Sequence, residues 1–176
     1  MRDEDVLDRR LRKLHNRRDR TSLIRNLILT AVVVYLLFGV IFGIAIIKGD
    51  SMHPSFREGD IVLFFRLGKY KQGDVILIDT KSETDYIKRI IGMPFDEIDI
   101  DDETGMVIIN GRPLQEPYAH GETHAKAGVT FPLVLGEDEY FCLGDNRLNS
   151  LDSRNYGPVK RSQIDGKVIF LLRRGS

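Results

Sequence analysis

A single cysteine, Cys142, rules out an internal disulfide, so the fold rests on packing rather than covalent staples. It lies in the apolar run Tyr140-Phe141-Cys142-Leu143 with no histidine or other base beside it, the setting of a buried structural thiol rather than a nucleophile. Net charge is missing too, since 26 Lys and Arg balance 26 Asp and Glu. That balance conceals a polarity. Residues 1–26 hold nine basic residues against five acidic ones, which leaves 17 and 21 in the remainder, a net −4 there. The basic surplus belongs to one short tail beside an apolar run. It reads as a topological signal rather than as a nucleic-acid footprint.

From Leu27 to Ile47 charge is absent altogether. These 21 residues include only Thr30 and Tyr35 as polar side chains, and Gly39 and Gly43 are tolerated in membrane helices. As a helix they reach about 31 Å, the thickness of a bilayer's hydrocarbon core. A cleaved signal peptide fits worse: its apolar core is shorter, and Ile46-Ile47-Lys48 has nothing like the small-residue cleavage site. The sequence therefore predicts a basic cytoplasmic tail at 1–26, one transmembrane helix at 27–47 and an extracytoplasmic domain at 48–176. The protein is expected in the cell membrane, single-pass, with its N-terminus in the cytoplasm and the lipid bilayer as a partner.

The remaining 129 residues are enough for one domain with a real core. They read as β. Asp60–Phe65, Asp74–Ile78 and Asp85–Ile91 are apolar and β-branched runs, the first two introduced by Gly-Asp and the third stopped by Gly92 and Pro94. Glu97–Ile100 and Met106–Asn110 flank the acidic turn 101–105, and Glu139–Leu143 and Lys167–Arg173 complete the set. Residues 115–138 show little periodicity and read as loop, within a small insertion at about 95–138. The expected fold is mainly antiparallel β, a sandwich or partly open barrel after one N-terminal transmembrane helix.

Chemistry is suggested by Lys48-Gly49-Asp50-Ser51-Met52-His53-Pro54-Ser55, directly after the uncharged run. Ser51 follows Ile47 by four residues, a reach of at most about 14 Å, so it lies at or near the headgroups of any bilayer that the run spans. Serine needs a neighbouring base, and no Ser-His-Asp pattern is present. His53 is only two residues away and points elsewhere. His120 and His124 lack a third ligand and the glutamate of a zincin, so neither metal nor other cofactor is expected. The remaining candidate is Lys88 in Tyr86-Ile87-Lys88-Arg89-Ile90-Ile91. Burial lowers a lysine's pKa and makes it a base, whereas arginine stays protonated. Alternation groups Lys88 with Tyr86 and Ile90, but leaves open which cation faces inward.

Four segments in order resemble a bacterial type I signal peptidase, a membrane-bound serine protease. Ser51-Met52-His53-Pro54-Ser55 resembles the nucleophile motif Ser-Met-x-Pro-Thr, and Gly59-Asp60-Ile61-Val62-Leu63 follows it. Tyr86 to Gly92 resembles the general-base motif. Gly144-Asp145-Asn146-Arg147-Leu148-Asn149-Ser150-Leu151-Asp152-Ser153-Arg154 resembles the last signature, Gly-Asp-Asn-Arg-x-x-Ser-x-Asp-Ser-Arg. The likeness covers nearly all of residues 20–176.

The resemblance implies the fold shared by signal peptidases and self-cleaving stress-response repressors. It also implies a Ser-Lys dyad, with Ser51 as nucleophile and Lys88 as general base. Ser150 would hydrogen-bond and orient the lysine, Asp152 and Arg154 would pair beneath the site, and Asp145 would support it. Ile47 and Ile87, with Tyr86 beside them, would line shallow pockets for small side chains, so that signal peptides of exported preproteins are cut after Ala-x-Ala. The Ser51 N–H would serve the oxyanion, but Gly49 stands where some members add a hydroxyl donor, and Ser55 replaces the commoner threonine. A dedicated-client Ser-Lys peptidase and a catalytically idle membrane-anchored binding module remain as alternatives. The complete last signature speaks against the second.

Overall fold

The computed structural model describes residues 20–80 and 85–173; most of the expected basic tail, residues 1–19, lies outside them. The first unit is a helix, α1 (Arg20–Ile41), whose last turns, Leu36–Ile41, are π-helical. Its apolar side chains are exposed along its length, among them Leu27, Ile28 and Tyr35, and at 22 residues it is long and apolar enough to cross a membrane.

The helical part of the uncharged run therefore stops at Ile41, not at Ile47 as expected. Residues Phe42–Ile46 form a strand, β1, paired antiparallel with β2 (Ile61–Phe65) from Phe42↔Phe65 to Ile46↔Ile61. Gly43 lies flat on the Phe64 ring, where a Cβ would come within 2.2 Å of Cζ, and Arg66 donates to the Phe42 carbonyl at 2.7 Å. Apolar composition fits helix and strand equally, and only an available strand partner separates them.

The second unit, from Phe42 onward, holds two antiparallel sheets. The larger runs β1-β2-β11-β3-β4-β9-β10, with β3 (Val75–Ile78), β4 (Tyr86–Gly92), β9 (Glu139–Leu143), β10 (Val159–Lys160) and β11 (Ile164–Leu172). The smaller runs β7-β6-β5-β8, with β5 (Glu97–Asp101), β6 (Met106–Ile109), β7 (Arg112–Pro113) and β8 (Leu133–Val134). It occupies the expected insertion. The acidic turn does close the β5–β6 hairpin, and Ile98↔Ile109 opens its register.

All four residues of β3 are buried because the large sheet is covered on both faces. Val75 and Leu77 pack with Val62, Phe64, Ile87, Ile47, Met52 and Phe56 on one side. Ile76 and Ile78 pack with Ile90, Cys142, Tyr140 and Ile164 on the other. A third cluster, with Ile91, Phe141 and Leu143 from the large sheet and Ile98 and Val107 from the small one, joins the two sheets. Register shifts at Ile90/Gly92, Ile164/Gly166 and Val168/Phe170 mark bulges that bend the large sheet. Cys142 is fully buried, and burial pushes its thiol up, as a structural cysteine requires.

Candidate active site

Ser51 stands on the turn that leaves β1. Ile47 is pinned on the way, its N–H donating to the Asp60 carbonyl and its own carbonyl accepting from Gly59, each near 2.8–2.9 Å. Met52 and Phe56 then plug the turn into the core below β3. The chain is thus fixed on both sides of Ser51 by apolar anchors one to five residues away. Among the described residues, the Ser51 N–H donates to no protein acceptor.

Lys88 projects from the middle of β4, opposite Ile76, and is 3% exposed. Its Nζ donates to Ser51 Oγ at 2.8 Å and to the Ile87 carbonyl at 2.9 Å, with the Tyr86 ring 5.4 Å away. Burial lowers its pKa to about 8, against the smaller opposing pull of Asp152, Cys142 and Asp145. The neighbouring cation has a different destination. Arg89 grips the Asp145 carboxylate with two hydrogen bonds, 2.8 and 2.6 Å, donates to the Gly73 carbonyl, and lies 4.1 Å over the Tyr118 ring. Both cations of the pair point into protein, from opposite faces of one strand, a choice that alternation by itself left open.

The last signature forms a loop folded back on Ser51. The Asn146 N–H donates to the Ser51 carbonyl at 3.0 Å, and Asn149 Nδ2 holds the Asp50 carboxylate at 2.9 Å. Gly144 has to be glycine: a Cβ there would lie 2.2 Å from Ser150 Oγ and 2.5 Å from the Ser51 carbonyl. Beneath, Arg154 donates through Nε and Nη2 to the two Asp152 oxygens, each at 2.9 Å, with both side chains fully buried. Burial drives the Asp152 carboxyl up, but Arg154's hydrogen bonds and charge, with the Gly144 N–H, outweigh it and hold the carboxyl low. Asp152 also caps α2 (Ser153–Tyr156).

Ser150 departs from expectation. Its hydroxyl is close enough to help lower Asp152, yet among the described residues no partner completes a hydrogen bond of standard geometry to its Oγ, and it does not bond Lys88. Lys88 Nζ instead donates to Ser51 and to its neighbour's carbonyl. Ile47, Ile87 and Tyr86 do come together. With Ala45, Lys48, Leu77 and Asp85 they line one depression, and the Ser51–Lys88 pair lies in the next, walled further by Asn149 and Leu151.

Sequence reasoning missed the part played by the loop after β7. Glu116 accepts two hydrogen bonds from the buried Arg147 guanidinium, at 2.8 and 2.6 Å, and Thr123 accepts a third. The His120 N–H donates to the Asp145 carbonyl at 2.7 Å and its carbonyl accepts from Arg147, while its ring meets His53 edge-on at 6.1 Å. This stretch is a strap across the signature loop. The only sequence signal for it was charge, Glu116, Glu122 and Lys126 in an otherwise aperiodic segment.

The family model described as signal peptidase, peptidase S26, matches residues 20–172. Signal peptidase I of Bacillus licheniformis is 31% identical over 162 residues, covering 85% of this chain and 86% of its own. Signal peptidase I T of Bacillus subtilis is 30% identical over 159 residues, covering 83% and 81%. A crystal structure of a signal peptidase I from Enterococcus faecalis V583 is 29% identical, with a TM-score of 0.49 over 58% of this chain and 98% of that one. With its whole folded unit matched, this chain belongs to the signal peptidase family, peptidase S26, and is a serine peptidase.

Proposed function

We propose that the chain is a membrane-anchored endopeptidase that removes signal peptides from exported preproteins, with Ser51 as nucleophile and Lys88 as general base. The observation that carries this reading is the 2.8 Å approach of a buried amine, its pKa lowered to about 8, to the Ser51 hydroxyl. In its neutral form Lys88 accepts the hydroxyl proton as Ser51 Oγ attacks the scissile carbonyl. The resulting ammonium returns that proton to the leaving amine as the C–N bond breaks. Water then attacks the acyl carbon as neutral Lys88 takes its proton, the C–Oγ bond breaks to release the product acid, and the ammonium returns the proton to Ser51 Oγ. The free Ser51 N–H supplies a donor for the developing oxyanion. Gly49 carries no hydroxyl to add a second.

Specificity follows from the walls of the neighbouring depression. Ile47 and Ile87 are anchored in the core and cannot retreat, so bulky side chains are rejected by overlap and alanine-sized ones accepted. This supports cleavage after Ala-x-Ala. A helix able to span a bilayer precedes the domain, and the basic surplus of residues 1–26 supports an orientation with the domain outside the cytoplasm, where signal peptides emerge. The test is cleavage of a synthetic preprotein by the purified full chain in detergent. Ser51→Ala and Lys88→Ala are each expected to abolish cleavage, with the double variant no worse. Cleavage surviving in Lys88→Ala would remove the dyad.

A further inference from the structure

We infer that Lys126 is a positioning residue, setting Ser150 against the reacting pair; the inference rests on the dyad reading above. Ser150 is buried where Gly144 and the Ser51 carbonyl nearly touch, and its hydroxyl has no completed hydrogen bond to hold it. Beyond its approach to Asp152, its orientation rests on its main chain. The Ser150 carbonyl accepts from Lys126 Nζ at 2.7 Å, a charge-assisted bond. The same ammonium donates to Asn155 Oδ1 at 3.3 Å, and that oxygen also accepts from the Asp152 N–H at 3.2 Å. One cation therefore ties together both ends of the turn from Ser150 to Asn155, the turn that carries Ser150 and Asp152.

Lys126 arrives there by construction. The strap that bears it is anchored upstream by Glu116 and Thr123 on Arg147. Downstream, Gly128 runs against the Asn155 carbonyl so closely that a Cβ would lie 1.9 Å from its oxygen. Ala125 is fixed between them, its N–H donating to Asp102 at 2.8 Å. Burial, and the nearby Arg154 charge, lower the Lys126 pKa against the pull of Asp152, the mark of a lysine held for its contacts rather than left in solvent. Without the ammonium, the Ser150 carbonyl loses this charge-assisted partner, and the peptide after Ser150 loses the restraint that sets its Cα–Cβ direction.

The experiment compares wild type, Ser150→Ala, Lys126→Ala, Lys126→Arg and the double variant Lys126→Ala/Ser150→Ala, as full chains in detergent, with kcat, KM and melting temperature measured separately. Lys126→Ala should lower kcat about tenfold to hundredfold at unchanged KM and nearly unchanged melting temperature, the scale of a misplaced catalytic geometry. Lys126→Arg, which keeps cationic donors, should recover most of the loss. In the Ser150→Ala background the Lys126→Ala change should have no further effect. Normal kcat in Lys126→Ala, or losses that multiply in the double variant, overturns the inference and leaves the dyad standing. Full activity in Ser150→Ala overturns it by removing the residue that Lys126 is meant to act through. Failure of the dyad itself would show separately, as cleavage by Ser51→Ala.

Discussion

The pH dependence of cleavage tests the base directly. As the proposed base, Lys88 must lose a proton before it can accept one from Ser51, and burial brings its pKa from 10.5 to about 8. At pH 7 a group at about 8 is neutral about one time in eleven, whereas an ordinary lysine is neutral about once in three thousand. The burial of this one amine is worth roughly 300-fold in competent enzyme at neutral pH, about 3 kcal/mol. The rate should rise close to tenfold per pH unit below about 8 and level off above it. Stability carries the same signature. The folded pKa lies below the unfolded one, so between about 8 and 10.5 the unfolded chain holds the extra proton. Unfolding free energy should therefore climb with pH across that window, and the climb should vanish in Lys88→Met. The assay is preprotein cleavage from roughly pH 5 to 10 for wild type, His53→Ala and Lys88→Arg, the last expected to be inactive because guanidinium keeps its proton. A rate limb near the ordinary imidazole value of ~6.5 that disappears in His53→Ala would refute the reasoning.

Other substitutions separate structural from catalytic roles. Phe95 is exposed yet held at φ 71°, so Phe95→Gly should raise stability by about 1 kcal/mol, read as a higher melting temperature with unchanged cleavage. Gly144→Ala should cut kcat by about a hundredfold, because the added methyl must push Ser150 or the Ser51 carbonyl aside; wild-type kcat in a folded variant would contradict the close approach. Glu116→Ala leaves the Arg147 guanidinium buried without its carboxylate and should cost about 3 kcal/mol in denaturant unfolding, whereas Lys126→Ala, at a partly exposed site, should cost far less.

Much of the fold was legible because its cause is local. The strands from β2 to β6, and β9, announce themselves by β-branched runs between Gly, Pro and Asp turns, and their observed limits fall within one residue of the expected ones. The start of β11 was not: Asp165 and Gly166 look like a turn, and they are held in the ladder by pairing with β3 across a bulge. β1 was hidden for a different reason. Phe42 to Ile46 continue an uncharged run without any break, and what makes them a strand is the edge of β2, met only after folding.

The site divides in the same way. Residue order and type already determined that a serine follows an apolar run, that a lysine sits in an apolar strand, and that a Gly-Asp-Asn-Arg signature with Ser150, Asp152 and Arg154 comes last; these are properties of short segments. Tertiary structure alone decided that Lys88 and Arg89 point into protein from opposite faces, one to Ser51 and one to Asp145. It also decided that Ser150's hydroxyl stays without a bond to Lys88, and that Glu116 and Lys126, from an aperiodic loop, brace the signature loop from 31 and 24 residues away. No periodicity encodes such pairs. A buried cation or carbonyl must find a partner wherever the packed chain brings one, and that partner is set by how the two sheets close over the loop, not by its distance along the sequence.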